Sequence, residues 1–344
     1  YASFGTGFLL GPDVLITNYH VIAPVIEGHE RRSAGNSPWA MPGDVTLRFD
    51  HIRLADGTTQ HSGTEYHLAA RNWLIDYSPM SRWDTLPEPK GAPGADELDY
   101  ALLRLAGTPG NDPIGRNPEP GAPKRGWIEL PVEPCAFRPG MPLLIVQHPR
   151  GQPLKLAFDT DAIIGTNSNQ SRVTYRTNTE PGSSGSPCFD INWKLVALHH
   201  SGDPDYAPSH APAYNQGIPL TAVLARLQRL GLDSELGGKS PAGRDAFSIP
   251  PSPSRPANIY ICYKPSAEPD RTLASFLQES LAAHGHHVSS DRTLGSGEAW
   301  LNEIDEQNEK SDHLLLLLSQ ASADSEIMQA QVSHACEYRR MQGR

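Results

Sequence analysis

Three short segments of the sequence carry residue types that could together catalyse acyl transfer at a serine. Ser184 lies in a tight turn between Gly182 and Gly185. His20 follows an apolar stretch that predicts a β-strand, and Asp99 directly precedes another. A serine hydroxyl becomes nucleophilic when a histidine takes its proton, and an aspartate holds that histidine in the required tautomer. The sequence therefore predicts a catalytic triad of His20, Asp99 and Ser184.

The order of these residues, histidine then aspartate then serine, is the order found in chymotrypsin. The surrounding segments resemble those of the trypsin-like serine proteases, especially the bacterial branch that contains the glutamyl endopeptidases. Residues 5–10 and 13–18 resemble that family's strand pair before the catalytic histidine, and residues 182–187 resemble its serine loop. The resemblance covers about residues 1–235 and implies an all-β double-barrel protease fold.

The serine turn and a later strand provide further site candidates. The backbone N–H groups of Gly182 and Ser184 can converge on one point as an oxyanion hole, where one donor typically contributes about 3 kcal/mol. In glutamyl endopeptidases and viral 3C-type proteases, a threonine and a histidine hold a Glu or Gln at the P1 position of the substrate. Thr179 and His199 stand at the corresponding places, so the resemblance implies the same preference here. His199 and its neighbour His200 could instead be ordinary polar residues of a strand.

The triad candidates also have simpler structural interpretations. Ser184 could be only a turn residue, and His20 a polar residue at the end of a strand. Asp99 could cap a helix, and Asp96 and Glu97 are close enough along the chain to replace it. In the digestive members of the family an aspartate precedes the serine and pairs with a new N-terminus after zymogen cleavage. Because a serine precedes Ser184 here, we expect a different form of control.

Composition restricts the partners that the protein could bind. The 344 residues include 39 acidic and 29 basic side chains, for a net charge of −10, which argues against nucleic acid or an anionic membrane. No apolar run is long enough to span a bilayer. The four cysteines show no metal-binding spacing, and although Cys135 and Cys188 could pair, we favour reduced thiols in the cytoplasm. We expect a protein or peptide substrate, no metal and no cofactor.

The sequence predicts two domains joined by a linker. Short apolar runs separated by glycine, proline and aspartate predict an all-β domain over residues 1–235, closed by a helix at residues 219–232. Proline and small residues predict an exposed linker over residues 236–256. In residues 257–344, alternating strand and helix patterns predict a parallel α/β sheet of the flavodoxin-like class.

Residues 257–344 resemble a TIR domain in the opening strand, in the segment around Asp291 and Trp300, and in the leucine strand that ends before Ser319. We expect this domain to be incomplete, and the alternative is another flavodoxin-like fragment. In TIR domains that cleave NAD, a glutamate is required at the position where Gln331 aligns. The resemblance therefore implies a catalytically silent TIR domain that forms a homo-oligomer, although the substitution could also be engineered.

Taken together, the sequence predicts a serine endopeptidase that TIR-mediated assembly regulates. The combination of a TIR domain with an effector domain suggests bacterial defence, by analogy alone. One alternative is a TIR protein that processes NAD or senses a nucleotide signal, with the barrel as a binding module. A third is a scaffold in which neither centre is active.

Overall fold

The computed structural model describes residues 4–33, 40–53, 59–86, 91–115, 118, 122–204, 213–238, 240, 256–290, 310–317 and 319. The chain divides into two compact units, residues 1–244 and 245–344. All strand pairs in the first unit are antiparallel and those in the second are parallel, within these described ranges.

The N-terminal half of the first unit contains a four-stranded sheet and a separate hairpin. Its strands are β1 (Phe8–Leu9), β2 (Val14–Thr17), β3 (Thr46–Arg53), β4 (Thr59–His67), β5 (Leu74–Ser78) and β6 (Tyr100–Arg104). The sheet order is β1-β2-β6-β5, and β3 pairs with β4. Thr17, the last residue of β2, lies opposite Ala101 near the start of β6. This register brings the residues that follow β2 and precede β6, including His20 and Asp99, to the same edge of the sheet.

A helix follows β2 after one intervening residue. Helix α1 (Tyr19–Ser33) packs Ile22, Val25 and Ile26 against the buried faces of β2 and β6. The prediction that His20 ends a strand is therefore wrong, because the strand stops at Thr17 and His20 lies in the first turn of α1. Burial of one apolar helix face stabilises a segment whose internal proline and glycine have poor helix propensity.

The C-terminal half of the first unit is one seven-stranded sheet. Its strands are β7 (Leu143–Gln147), β8 (Lys155–Asp159), β9 (Ile163–Thr166), β10 (Val173–Tyr175), β11 (Pro187–Phe189), β12 (Leu195–Gly202) and β13 (Asn215–Pro219). Their order is β8-β7-β11-β12-β13-β10-β9. The serine turn directly precedes β11, and His199 and His200 lie within β12.

Helix α2 (Leu220–Leu230) closes this unit, as the sequence predicts. Its buried residues Leu220, Val223 and Leu227 belong to a core cluster that also contains residues of β2 and β6, so the helix packs against both halves. The helix ends at Gly231, whose φ of 68° is in the left-handed region that glycine adopts without strain.

The second unit contains three parallel strands and a helix in the described residues. These are β14 (Asn258–Cys262), α3 (Glu268–Ala283), β15 (His287–Ser290) and β16 (His313–Leu316), with the sheet order β15-β14-β16. They confirm the predicted parallel sheet with a crossover helix. The pattern of residues 298–310 predicts a second helix, but this segment lies almost entirely outside the described residues, and Gln331 lies outside them altogether.

Two segments whose apolar residues predict strands, residues 67–70 and 127–130, form no strand of their own. Strand β4 ends at His67, and Leu68 makes only an isolated pairing with Leu105. Ile128 donates one backbone hydrogen bond to the Leu9 carbonyl at 2.9 Å, and the backbone N–H of Trp127 donates to the Ser240 hydroxyl at 3.2 Å. These contacts anchor the segment without the repeating pairs of a ladder.

Candidate active site

His20 contacts Asp99 through both its backbone and its side chain. Its backbone N–H, in the first turn of α1, has no intrahelical partner and donates to Oδ1 of Asp99 at 3.0 Å. Its ring Nδ1–H donates to Oδ2 of the same carboxylate at 2.7 Å. The side-chain amide of Asn18 donates to the backbone carbonyl of Asp99 at 2.9 Å. Asp99 is fully buried, whereas the His20 side chain is 33% exposed and remains open towards solvent.

The backbone around Asp99 is fixed by its own loop. Asp99 has a φ of 43°, in the left-handed region that a non-glycine residue adopts only when its surroundings impose it. Its N–H donates to the Pro79 carbonyl at 3.1 Å. One residue earlier, the N–H of Leu98 donates to the Ser78 hydroxyl at 2.8 Å. These contacts set the direction in which the Asp99 side chain leaves the loop.

Asp99 is ionised at neutral pH. Burial alone would raise the pKa of Asp99, but hydrogen bonds from His20 and His200 outweigh burial and lower that pKa to about 2. The other two acids of this loop are occupied elsewhere. Asp96 pairs with two arginines of α2, and Glu97 accepts hydrogen bonds from a backbone N–H and a serine hydroxyl. The contact with His20 therefore belongs to Asp99 rather than to either alternative.

The turn that carries Ser184 is attached to the strand that leads to His20. The Thr6 N–H donates to the Ser184 carbonyl at 2.8 Å, and the Thr17 hydroxyl donates to the Thr6 carbonyl at 2.7 Å. Gly185 has a φ of 89°, and a Cβ there would lie 2.0 Å from the Thr6 carbonyl oxygen, so only glycine fits. Ser184 itself is half-buried.

The peptide groups on both sides of Gly182 are held in place. The Pro181 carbonyl accepts a hydrogen bond from the Arg150 N–H at 2.7 Å. Because the C=O and N–H of a trans peptide point in opposite directions, the Gly182 N–H points away from Arg150. The Gly182 carbonyl accepts from the Thr6 hydroxyl at 2.9 Å. Gly182 has a φ of 94°, and a Cβ there would lie 2.6 Å from the Arg150 nitrogen.

Ser183, the residue before Ser184, is anchored by neutral groups. Its hydroxyl donates to Oε1 of Gln147 at 2.5 Å and accepts from the Glu180 N–H at 3.2 Å. The amide of Gln147 donates in turn to the Asn178 carbonyl at 3.2 Å. The serine turn therefore has a buried side-chain anchor that needs no charged partner.

The two specificity candidates each have a neighbour that the sequence analysis did not identify. The Thr179 hydroxyl donates to Oδ1 of Asn215 at 2.9 Å. Nδ1 of His199 lies 2.7 Å from the hydroxyl oxygen of Tyr175. Burial, reinforced by two neighbouring histidines, lowers the pKa of His199 to about 3, so its ring is neutral at physiological pH. Tyr175 lies opposite Asn215 in the pairing of β10 with β13, so both contacts lie in one region of the sheet.

Sequence reasoning also missed the contact between His200 and Asp99. Nδ1 of His200 lies 3.0 Å from Oδ2 of Asp99. The only local signal was its position beside His199 in an apolar strand, which is equally typical of a structural residue. The contact connects residues 101 positions apart, and a single sequence carries no pattern for it.

The described residues contain neither a metal-binding cluster nor a membrane-spanning helix. Among the described residues, no group of three or more histidine, cysteine, aspartate or glutamate side chains is arranged to hold a metal ion. Within the described parts of the chain, no helix combines the length and apolarity that crossing a bilayer requires. Cys135 and Cys188 are free thiols, so the disulfide that they could form in principle is absent.

An antiparallel two-part β-fold, with a His–Asp pair after one strand and a glycine-rich serine turn attached to the end of that strand, is typical of the chymotrypsin-like serine proteases. The sequence model of the trypsin-like peptidase domain matches residues 5–198, and the chain belongs to that family. The match is to the family as a whole rather than to its glutamyl endopeptidase branch. Residues 259–344 match the TIR domain, which confirms the second resemblance.

Two curated relatives have similar sequences. The uncharacterized protein y4fB of Sinorhizobium fredii is 26% identical over 59% of this chain and 26% of its own length. A protein of Lysobacter enzymogenes, named as a probable serine protease, is 27% identical over 68% of this chain and 33% of its own length. The chain thus spans about a quarter to a third of the length of these relatives.

Solved protease structures align with most of the chain at low identity. The active form of Rv3671c from Mycobacterium tuberculosis is 16% identical, covering 70% of this chain and 77% of that one, with a TM-score of 0.36. The HtrA-type protease AlgW with a decapeptide is 14% identical, covering 67% and 52%, with a TM-score of 0.38. The family assignment rests on the sequence match.

Proposed function

We propose that the protein is a serine endopeptidase in which Ser184 is the nucleophile, His20 the general base and Asp99 the orienting acid. The observation that carries this proposal is the pair of hydrogen bonds from His20 to Asp99, at 3.0 and 2.7 Å, in a fold whose serine turn is attached to the same strand end. Because Nδ1 of His20 carries a proton towards Asp99, Nε2 is the atom that can accept the Ser184 proton.

In the proposed reaction Ser184 attacks the scissile carbonyl as His20 takes its proton. The ionised Asp99 stabilises the imidazolium that forms, and His20 then gives the proton to the leaving amine. A water molecule repeats the sequence on the acyl-enzyme. The N–H groups of Gly182 and Ser184 would stabilise the oxyanion, and the fixed peptide plane at Gly182 supports this because a preorganised donor needs no reorientation during the reaction.

We further propose a preference for Glu or Gln at P1, with Gln favoured at neutral pH. His199 and Thr179 would line the pocket. The Tyr175 hydroxyl lies 2.7 Å from Nδ1 of His199 and 3.2 Å from the Gln216 carbonyl. Donation along the shorter contact places the ring proton of His199 on Nε2, which can donate to the side-chain oxygen of the substrate. A neutral imidazole matches a neutral amide, whereas a Glu carboxylate would place an unpaired negative charge in a buried pocket.

The TIR domain would regulate the protease by self-association. We propose that residues 1–235 form the protease domain, residues 236–256 a linker and residues 257–344 the TIR domain, and that the protein acts in a bacterial defence response in the cytoplasm. The neutral anchoring of Ser183 supports a control that does not depend on zymogen cleavage, and the free thiols of Cys135 and Cys188 fit a reducing compartment. A proline-rich linker can transmit proximity between domains.

The test is hydrolysis of a peptide library by the assembled full chain and by its Ser184→Ala variant. We expect cleavage after Gln and Glu by the wild type, and none above background by the variant. Equal cleavage by both proteins would show that another group is the nucleophile. Cleavage that depends on Ser184 but follows Arg, Lys or aromatic residues would overturn the P1 proposal alone.

A further inference from the structure

A second histidine is hydrogen-bonded to the proposed catalytic acid. His200, in β12, is 1% exposed, and its Nδ1 lies 3.0 Å from Oδ2 of Asp99. The same oxygen accepts the Nδ1–H of His20 at 2.7 Å, and Oδ1 accepts the His20 backbone N–H. Because Asp99 is ionised, the Nδ1 atoms of both rings carry protons. The carboxylate thus accepts three hydrogen bonds, which together fix its plane.

The opposite side of the His200 ring faces a second set of polar groups. Nε2 lies 2.8 Å from Oε1 of Gln216, 3.1 Å from the Ser201 hydroxyl and 3.9 Å from Oδ1 of Asp84. Asp84 forms a bidentate ion pair with Arg172, at 2.9 and 2.7 Å. The side chains of both ion-pair partners are almost completely buried, with 2% of Asp84 and 1% of Arg172 exposed.

This ion pair connects the two halves of the protease unit. Asp84 lies between β5 and β6, and Arg172 lies just before β10 in the seven-stranded sheet. Arg172 also donates to the Glu97 carbonyl at 2.7 Å, two residues before Asp99. The loop of Asp99 is therefore held through its backbone by Arg172, and through its side chain by His200. His200 is the only one of these groups that contacts both the Asp99 carboxylate and the Gln216 side chain, within the described contacts.

Burial of a histidine among these groups is not needed to fill space. An apolar side chain of similar size could occupy the same volume, but replacing one member of a buried polar network leaves its partners short of a hydrogen bond. What an apolar residue could not provide is a donor aimed at Oδ2 of Asp99. A role in orienting the Asp99 carboxylate therefore explains the presence of His200 better than packing does.

We propose that His200 is a positioning residue of the triad, which fixes the Asp99 carboxylate for His20 and is itself held by Gln216 and Ser201. This inference rests on the proposed serine protease function. It goes beyond that function in assigning a role to a residue whose described hydrogen bonds reach the acid of the triad and not Ser184 or His20.

The test compares three variants of His200 in the full chain. Leu removes the donor, Asn places an amide nitrogen close to the position of Nδ1, and Gln places one close to the position of Nε2. For His200→Leu and His200→Gln we expect kcat to fall on the order of 10- to 100-fold, with KM changed by less than about twofold. For His200→Asn we expect most of kcat to be retained. The rate at which a fluorophosphonate labels Ser184 should follow the same order.

Thermal unfolding separates positioning from folding. We expect all three variants to remain folded at the assay temperature. If His200→Leu does not fold, the comparison of the Asn and Gln variants still tests the positioning role, because both side chains are polar amides that differ in where the nitrogen lies. Equal kcat in the Asn and Gln variants, or wild-type kcat in the Leu variant, would overturn the positioning role. A wild-type chain without hydrolysis or labelling would overturn the proposed function itself.

A second readout does not depend on turnover. In 15N-histidine NMR spectra, the Nδ1 proton of His20 in its hydrogen bond to Asp99 should give a downfield signal. We expect His200→Leu and His200→Gln to broaden or shift that signal, and His200→Asn to preserve it. An unchanged signal in all three variants would show that His200 does not control the Asp99–His20 geometry.

Discussion

The carboxylate of Asp99 accepts hydrogen bonds from both the backbone N–H and the imidazole of His20, at 3.0 and 2.7 Å. Helix α1 has no acidic residue in its own first turn, so Asp99 supplies the negative charge that the helix N-terminus favours. Asp99 caps no helix of its own, because β6 follows it, but its carboxylate caps the start of α1. Its contact with the His20 ring supports the proposed triad. One carboxylate anchors the start of the helix and orients the ring that the helix carries.

Replacing Asp99 by asparagine should separate its contribution to the start of helix α1 from its contribution to the orientation of the His20 ring. The amide oxygen can still accept one hydrogen bond, but the residue no longer carries a charge to hold the Nδ1–H tautomer of His20. We expect kcat to fall on the order of 10⁴-fold while the fold is retained. Steady-state kinetics with circular dichroism would test this, and an activity loss of less than tenfold would contradict the role given to Asp99.

The lowered pKa of Asp99 predicts acid sensitivity of the fold. Its folded pKa of about 2 lies below the ordinary value of 3.8, so its stabilising contribution is complete above about pH 4 and is lost as pH falls towards 2. The contribution is about 2 kcal/mol. Urea unfolding between pH 6 and pH 2 should show a smaller pH dependence in Asp99→Asn than in the wild type. If the free energy of unfolding depended on pH equally in the two proteins, Asp99 would not be the group whose lowered pKa stabilises the fold.

The close approach at Gly182 predicts that alanine there would disrupt the proposed oxyanion hole. The added Cβ would lie 2.6 Å from the Arg150 nitrogen, at a φ of 94°, so the peptide plane must move. We expect kcat to fall about 10²- to 10³-fold with little change in KM. Gly165→Ala is the matched control, because a Cβ there meets nothing within 4 Å. Similar kinetics for the two variants would contradict the role of Gly182.

The neutral state of His199 predicts the order of P1 preference. At neutral pH we expect higher kcat/KM for substrates with Gln at P1 than for matched Glu substrates, because burial lowers the pKa of His199 to about 3. His199→Ala should reduce cleavage after both residues far more than after small apolar ones. Tyr175→Phe should weaken the preference while preserving turnover of small apolar substrates. A library profile that does not change in either variant would exclude these residues from the pocket.

The resemblance of the second unit to TIR domains predicts regulation by assembly. Protease activity of the full chain should rise steeply with self-association, whereas a chain truncated after residue 240 should be less active and independent of concentration. Because Gln331 replaces the glutamate expected in NAD-cleaving TIR domains, little NAD should be consumed. Equal activity of the truncated and assembled proteins, or rapid NAD loss, would contradict this interpretation.

The sequence predicts the parts of the site that depend on residue type and local turns. Glycines at positions 182 and 185 indicate a sharp turn at Ser184, and the structure has left-handed backbone at both. Helix α1 was not predictable, because Pro24 and Gly28 oppose it locally and its stability comes from packing and from the distant Asp99. The role of His200 was not predictable either, because its partner Asp99 lies before β6, far away in the sequence.

The most direct test of the central claim is where a fluorophosphonate reacts with the folded full chain. Mass spectrometry of the digested protein should find one adduct, on the peptide that contains Ser184. The adduct should disappear in Ser184→Ala and form at least about 100-fold more slowly in His20→Ala, since the hydroxyl is nucleophilic only with its base. Labelling of a different serine, or equal labelling of Ser184 with and without His20, would contradict the triad.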